Sequence, residues 1–467
     1  MASDLVLGID SSTQSTKAVL VDAATGEVVA QASAPHPTGT AVDPRAWLEA
    51  FDIATDGLLP RASALAVGGQ QHGMVALDAA GEPVHDAILW NDTRSSSEAL
   101  DLIAELGGPD ACAEAVGSVL VASFTSTKLR WLRDHEPDAA ARTREVLLPH
   151  DYLSRHVTGG DAFTDRGDAS GTGYFSTADD AWRPDLVEAA IGHAVSLPRI
   201  VAPSEVAATT ASGLVVGAGT GDNMAAALAL DLGPGDVVVS IGTSGVASAV
   251  SATRISDGTG SVTGFADATG RFLPMATTMN AARILDLQCL LLGVDHDELG
   301  RLALAAPSGA NGLTISPYYG GERTPNRPDA TGTWTGLTAP TTREDVARAA
   351  FEALLCSLAD AVDLLTGMTG EPARRILMVG GAASNPAVHA LAPAILGAPV
   401  TVPAAGEYVA LGAARQAAWA LSGAATPPSW APAPAETHTA APTPLVREAY
   451  ARLRDRTSDW TSTVPNR

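Results

Sequence analysis

The chain has 467 residues, 46% hydrophobic and 17% charged, which is enough apolar material for more than one core and too much for a disordered protein. Carboxylates outnumber Lys plus Arg by 52 to 29, a net charge of −23 that sets the mean field against phosphate; this argues against nucleic-acid or acidic-membrane binding but leaves room for a small site taking a metal-neutralised nucleotide. The three cysteines, Cys112, Cys289 and Cys356, form no CxxC or Cys/His cluster, and the N-terminus has no basic region, so neither a disulfide framework nor a signal peptide is expected and the chain reads as cytoplasmic.

In chain order, Leu5-Val-Leu-Gly-Ile-Asp10, Lys17-Ala-Val-Leu-Val21 and Glu27-Val-Val-Ala-Gln31 are predicted as three strands joined by short polar turns, the first turn being Ser11-Ser-Thr-Gln-Ser-Thr16. An apolar run from Ala62 to Val67 leads into Gly68-Gly-Gln-Gln-His72-Gly73, and Ala87-Ile-Leu89 leads into Trp90-Asn91-Asp92-Thr93-Arg94. A glycine loop, Gly217-Ala-Gly-Thr-Gly221, opens a helix at Asp222-Asn223. The opening phrase then returns about half a chain later: strand Asp236-Val-Val-Val-Ser-Ile241, turn Gly242-Thr-Ser-Gly245, strand Val246-Ala-Ser-Ala-Val250. This repeat predicts two related domains, 1–232 and 233–467.

In the second half, Thr341 and Thr342 three residues before Glu344 and Asp345 predict a capping box. The helix it opens buries a face of Val346, Ala350, Leu354, Leu355, Leu358, Val362 and Leu365. Arg375-Ile-Leu-Met-Val379 is a strand, Gly380-Gly-Ala-Ala-Ser384-Asn385 a turn, and Pro386 an early position of the next helix, with Ser384 or Asn385 near its N-cap. Residues 424–443, rich in Ala, Pro and Thr, are predicted as an extended surface loop, and Leu445 to Arg456 as a helix with a solvated basic face. Strands alternating with helices make the fold α/β.

The phosphate loop Gly-x-x-x-x-Gly-Lys-Ser/Thr, the HExxH pair and the Gly-x-Ser-x-Gly elbow are all missing. What remains is a set of Gly/Ser/Thr turns beside isolated carboxylates. Asp10 is placed either to hold a water-coordinated Mg²⁺ or to close an Asx-turn. Asp222 is either an N-cap or a general base that the helix N-terminus keeps charged. The Gln-Gln-His turn can present donors and acceptors to a polyol, or His72 makes a structural hydrogen bond. Asp92 and Arg94 are as readily an ion pair as pocket residues.

These segments together resemble the FGGY family of carbohydrate kinases, and within it the xylulokinases. The resemblance runs nearly end to end and keeps the family order: Gly8-Ile-Asp-Ser-Ser-Thr-Gln14, Gly69-Gln-Gln-His-Gly73, Leu89-Trp-Asn-Asp-Thr-Arg94, Phe124-Thr-Ser-Thr-Lys-Leu-Arg-Trp131, Leu148-Pro-His-Asp-Tyr-Leu153, Gly219-Thr-Gly-Asp-Asn223, Ser240-Ile-Gly-Thr-Ser-Gly245, Gly321-Glu-Arg-Thr-Pro325 and Val379-Gly-Gly-Ala-Ala-Ser-Asn385. It implies two actin-like ATPase (ribonuclease H-like) domains with a cleft between them, and ATP-dependent phosphorylation of D-xylulose with Mg²⁺. It implies Asp222 as catalytic base and Asp10 as the carboxylate near Mg-ATP. Ser12, Thr13, Gly242 and Thr243 would lie in two phosphate-binding turns, Gly380, Gly381 and Asn385 in the adenosine turn. Gln71, His72, Trp90, Asp222 and Asn223 would contact the sugar. Gln71 stands where many bacterial xylulokinases carry Met, adding a donor and an acceptor there. The expected partners are the sugar and ATP, with no nucleic acid or membrane; a homodimer is left open.

Overall fold

The computed structural model describes residues 4–460. Its frame is two seven-stranded sheets. In the first, the order is Ala208–Thr209, Val215–Val216, Ala64–Gly69, Leu5–Ser11, Ser15–Asp22, Val28–Pro35, and Thr220–Gly221 also pairs with Ala64–Gly69. In the second, it is Val262–Ala266, Phe272–Thr278, Gly245–Ala249, Asp236–Ile241, Arg375–Val379, Val400–Pro403, Ala435–His438.

The repeated phrase of the sequence is a repeated topology. Leu5–Ser11 and Ser15–Asp22 form an antiparallel hairpin closed at Ser11 and Thr16, and Asp236–Ile241 and Gly245–Ala249 form another closed at Ile241 and Gly245. On its other side each leading strand pairs in parallel with a strand that returns after a long crossover, Ala64–Gly69 in one sheet and Arg375–Val379 in the other. Both leading strands are Val/Leu/Ile runs because they lie inside their sheets, paired on both edges, and Val6, Leu7, Ile9, Val237 and Val239 are all essentially inaccessible.

The helix Tyr408–Ser422, although it lies in the second half of the sequence, packs on the first sheet and beside the helix Asp222–Ala229. Its small residues permit this. A Cβ on Gly8 would lie 1.9 Å from the Ala410 carbonyl oxygen, and one on Gly412 would lie 1.8 Å from that of Ala225. Ala410, Ala413, Ala414 and Ala417 are buried along the seam, so the alanine-rich composition becomes close backbone approach beneath the site.

The long helix is Arg343–Thr369, and its capping box forms: Asp345 N donates to Thr342 Oγ1 (3.3 Å) and Thr342 N to Asp345 Oδ2 (3.0 Å). Its expected apolar face is buried, with Val346 only partly so.

Two expectations are corrected. Within 424–443, Ala435–His438 is a strand, paired antiparallel with Val400–Pro403; its backbone alone makes the ladder, so no alternation of side chains announces it. The basic face of the terminal helix, Pro444–Arg456, is not simply solvated. Arg447 bonds Asp363 (2.6 Å) and Asp360 (3.2 Å), and Arg454 bonds Asp360, tying the helix to Arg343–Thr369. Among the described residues no helix is long and apolar enough to cross a membrane.

Candidate active site

The first hairpin ends in the turn 12–14, where Ser12 N and Oγ both bond the Ser15 carbonyl (3.0 and 3.1 Å). Thr13 Oγ1 accepts a hydrogen bond from Trp90 Nε1 (2.9 Å) and donates to Gln70 Oε1 (3.3 Å), which joins three sequence-distant turns. Asp10 precedes this turn, is 4% exposed, and leaves Oδ1 buried without a hydrogen-bond partner. Burial pushes its pKa up to about 7; Lys17, its cross-strand neighbour, works against the rise, and Glu407, which holds the Lys17 ammonium at 2.6 Å, adds to it. A buried carboxylate oxygen with an unmet demand for positive charge suits a divalent cation.

Thr220–Gly221 pairs with Gly68 and Gly69, which brings the start of the helix Asp222–Ala229 beside the Gln-Gln-His turn. Gly221 is the N-cap, so Asp222 is the first helical residue rather than the cap. Its Oδ1 accepts from Asn223 N (2.7 Å) and Asn223 Nδ2 (2.8 Å), and Asn223 Nδ2 also donates to Gln71 Oε1 (3.0 Å). The expectation of a permanently charged base is corrected here. Desolvation, reinforced by the charge of Asp10, pushes the Asp222 pKa up to about 7, and its bonds to Asn223 recover only part of this. A carboxyl poised near neutrality is the stronger proton acceptor.

His72 sits at φ 67°, the left-handed region that a side chain seldom adopts. Its carbonyl is held by Lys128 Nζ (2.7 Å) and Thr125 Oγ1 (3.2 Å), its ring packs on Phe124 and Phe265, and Nδ1 donates to the Gly171 carbonyl (2.6 Å). That bond leaves the lone pair on Nε2. Burial, then the charges of Lys128 and Arg323, push the His72 pKa down to about 3, so the ring is neutral. The structural hydrogen bond and an available acceptor are therefore both present. Gln71 is buried with Nε2 unpartnered. Trp90 is 46% exposed, its indole N–H committed to Thr13. Arg94 holds both Asp92 oxygens, Nε to Oδ1 and Nη2 to Oδ2 (2.8 Å each), and Thr40 Oγ1 also donates to Oδ2 (2.6 Å).

At the second hairpin, Gly242 and Thr243 are exposed, and their carbonyls accept from Ala282 N (2.9 Å) and Ala281 N (3.2 Å). Gly380, at φ +95°, presses on this hairpin, since a Cβ there would lie 2.7 Å from the Ile241 oxygen; Gly381 faces open space. The glycine turn is thus laid directly against the hairpin. Asn385 is the cap of Pro386–Leu396: Oδ1 accepts from Ala387 N (2.9 Å), and Nδ2 donates to the His296 carbonyl (3.1 Å). Its amide orders the turn. A separate cavity of about 790 Å³ beneath the terminal helix contains none of these residues.

Residue-type reasoning assigned no role to Lys128, His150, Asp168 or Arg323. Lys128 is wholly buried on the helix Thr125–His135, and His150 lies buried under the Gly69 and Gly219 turns, bonded to Asp168. Lys128, His150 and Arg323 do lie in segments that carry the family resemblance, whereas Asp168 lies in none of them.

The candidate site thus has two parts, Asp10, Asp222 and the Gln-Gln-His turn in the first half and the Gly242 hairpin with its glycine turn in the second, carried on hairpins of the same topology. Comparison with known proteins agrees. Residues 5–230 match the N-terminal domain, and 237–421 the C-terminal domain, of the FGGY family of carbohydrate kinases. The chain belongs to this family and is a sugar kinase. It is 47% identical over 434 residues to the xylulose kinase of Streptomyces coelicolor, covering 90% of this chain and 88% of that one. It is 45% identical over 438 residues to the xylulose kinase of Streptomyces rubiginosus, with the same coverage. The crystal structure of xylulose kinase from Bifidobacterium adolescentis superposes with a TM-score of 0.92 at 46% identity, covering 97% of this chain and 99% of that one.

Proposed function

We propose that this kinase transfers the γ-phosphoryl group of ATP to the terminal hydroxyl of D-xylulose, giving D-xylulose 5-phosphate and ADP. The observation that carries the chemistry is Asp222, a carboxyl near neutral pKa at a helix start, bonded through Asn223 to Gln71 and near enough to Asp10 to feel its charge. The substrate is taken from relatives named xylulose kinase at 45–47% identity.

In this reading Asp222 accepts the hydroxyl proton as the oxygen attacks the γ-phosphorus and the bond to ADP breaks. Gln71 Nε2 donates to a sugar hydroxyl, the neutral His72 Nε2 accepts from another, and Asn223 and Trp90 complete the pocket. Ser12 N and Gly242 N close their own turns, so the backbone N–H groups of Thr13 and Thr243 are the ones offered to the phosphates, and the open space at Gly381 takes adenosine beside Gly380 and the cap at Asn385. Asp10 would hold the Mg²⁺ that arrives with ATP, and that ion neutralises phosphate charge when bound. Closure of the cleft would exclude water.

Coupled ADP-release measurements over a panel of D-xylulose, ribulose, other ketoses and polyols test the substrate. D-xylulose is expected to give the highest kcat/KM. Gln71 makes the panel informative, and a second sugar well above D-xylulose overturns the assignment. In the same assay His72→Ala is expected to raise the sugar KM by about tenfold, the worth of a buried hydrogen bond of about 1–2 kcal/mol, with a smaller change in kcat. An unchanged KM removes His72 from the pocket.

A further inference from the structure

Arg323 stands in the turn Gly321-Glu-Arg-Thr-Pro325 of the second half, and its surroundings fix it firmly. Glu322 is 1% exposed and accepts from Met279 N (2.5 Å), Asn280 Nδ2 (3.0 Å) and Arg323 N (2.7 Å). Thr324 Oγ1 donates to the Thr277 carbonyl (2.9 Å). The segment that receives these bonds, 277–282, is the one that supports the second phosphate turn through Ala281 N to Thr243 O and Ala282 N to Gly242 O. Arg323 is also close enough to the Gln-Gln-His turn of the first half for its charge to help hold the His72 pKa down.

The guanidinium has no carboxylate partner and makes no hydrogen bond among the described residues. The most buried arginines are paired: Arg130 with Glu105, Arg166 with Asp180, Arg415 with Asp231. A half-buried, desolvated guanidinium without a counter-ion has an unmet demand for an anion, and its planar fork suits a phosphate. Between a polyol pocket and a phosphate turn, the anion that comes and goes is the phosphoryl group itself.

We infer that Arg323 binds the phosphoryl group in flight and then the phosphate monoester of the product. The inference rests on the phosphotransfer reading of the site. As the sugar oxygen–phosphorus bond forms and the bond to ADP breaks, Arg323 takes charge on the equatorial oxygens.

Arg323→Ala is expected to lower kcat by about 10²–10³-fold, Arg323→Lys by less, with the sugar KM within about threefold of wild type in both. Calorimetric titration separates this from a structural role. Affinity for D-xylulose 5-phosphate, and for inorganic phosphate in the presence of sugar, is expected to fall at least about tenfold in Arg323→Ala while affinity for D-xylulose is unchanged. Near-wild-type kcat with unchanged affinity for the phosphate ester overturns the inference, as does equal loss of free-sugar binding. Should the wild-type enzyme turn over a different sugar, the substrate assignment alone falls, and the same two readouts on that sugar and its phosphate ester decide Arg323.

Discussion

Replacing Asp222 by Asn is expected to lower kcat by about 10²–10⁴-fold with the sugar KM little changed. Asparagine keeps an oxygen that can accept from Asn223 N and Nδ2, so the turn and its link to Gln71 persist while the proton acceptor is lost. The wild-type pH profile should carry the same residue's signature. With the Asp222 pKa pushed up to about 7, kcat/KM rises as pH rises through that value and levels above it, and the variant lacks this limb. Asp10 is also pushed up to about 7, but the Mg²⁺ it would hold during turnover favours its charged form, so the limb is assigned to Asp222. Stability must move the other way. A carboxyl whose folded pKa is raised from 3.8 to about 7 contributes stability that is fully present below pH 3.8 and is lost as pH rises through about 7. Asp222→Asn removes that burden, so at pH 8 its melting temperature should equal or exceed wild type, with a smaller difference at pH 5. A variant that turns over near the wild-type rate sinks the base assignment, and one that melts well below wild type at pH 8 sinks the electrostatic account.

The hairpins at Asp10 and Gly242, the glycine turn at Gly380 and the helix start at Asp222 were all legible, because each is a local pattern: an apolar run, a cluster of turn formers, then a second periodic segment. What was illegible depends on partners far along the chain. The charge state of Asp222 is set by burial and by Asp10, and that of His72 by burial and by Lys128 and Arg323; none of these pairs is close in sequence. The Arg447 and Arg454 side chains looked solvated because Asp360 and Asp363 lie on another helix. Tyr408–Ser422 could not be placed on the first sheet from chain order, although Gly8 and Gly412 in hindsight mark the contact, since each sits where a methyl group would strike backbone. The Asn385 cap was readable as a cap; that its amide also ties to His296 was not.

His150→Ala should be the most damaging single change to the fold beneath the site. The ring is wholly buried, with Nδ1 2.7 Å from Asp168 Oδ2 and Nε2 3.1 Å from Asp151 Oδ1. Asp165 completes the cluster and takes bonds from Thr220 Oγ1 (2.8 Å) and Gly167 N (2.9 Å). Burial alone would lower the His150 pKa, but the surrounding carboxylates prevail and lift it to about 9, so one imidazolium offsets part of the charge of buried acids whose own pKa values burial pushes up, Asp151 to about 7 and Asp168 to about 6. The ring is the floor of the Gly219 turn, and the Cβ and backbone of the same residue are the floor of the Gly69 turn. A Cβ on Gly219 would lie 2.5 Å from His150 Cδ2, and one on Gly69 would lie 3.0 Å from its Cβ. Removing the cation leaves carboxylates buried without a partner, a loss of about 3–5 kcal/mol, or on the order of 10 °C in melting temperature. His150→Ala combined with Asp168→Asn should recover part of that loss, because the orphaned charge goes with its partner. The pH dependence has a definite sign. A histidine raised from 6.5 to about 9 contributes stability fully present below pH 6.5 and lost as pH rises through 9, so the gap between wild type and His150→Ala should narrow across that window. Because the Gly219 backbone rests on the ring, kcat should fall with stability; a variant that melts like wild type and keeps its kcat would show that neither the ring nor its charge is needed to hold Asp222 and Gln71 in place.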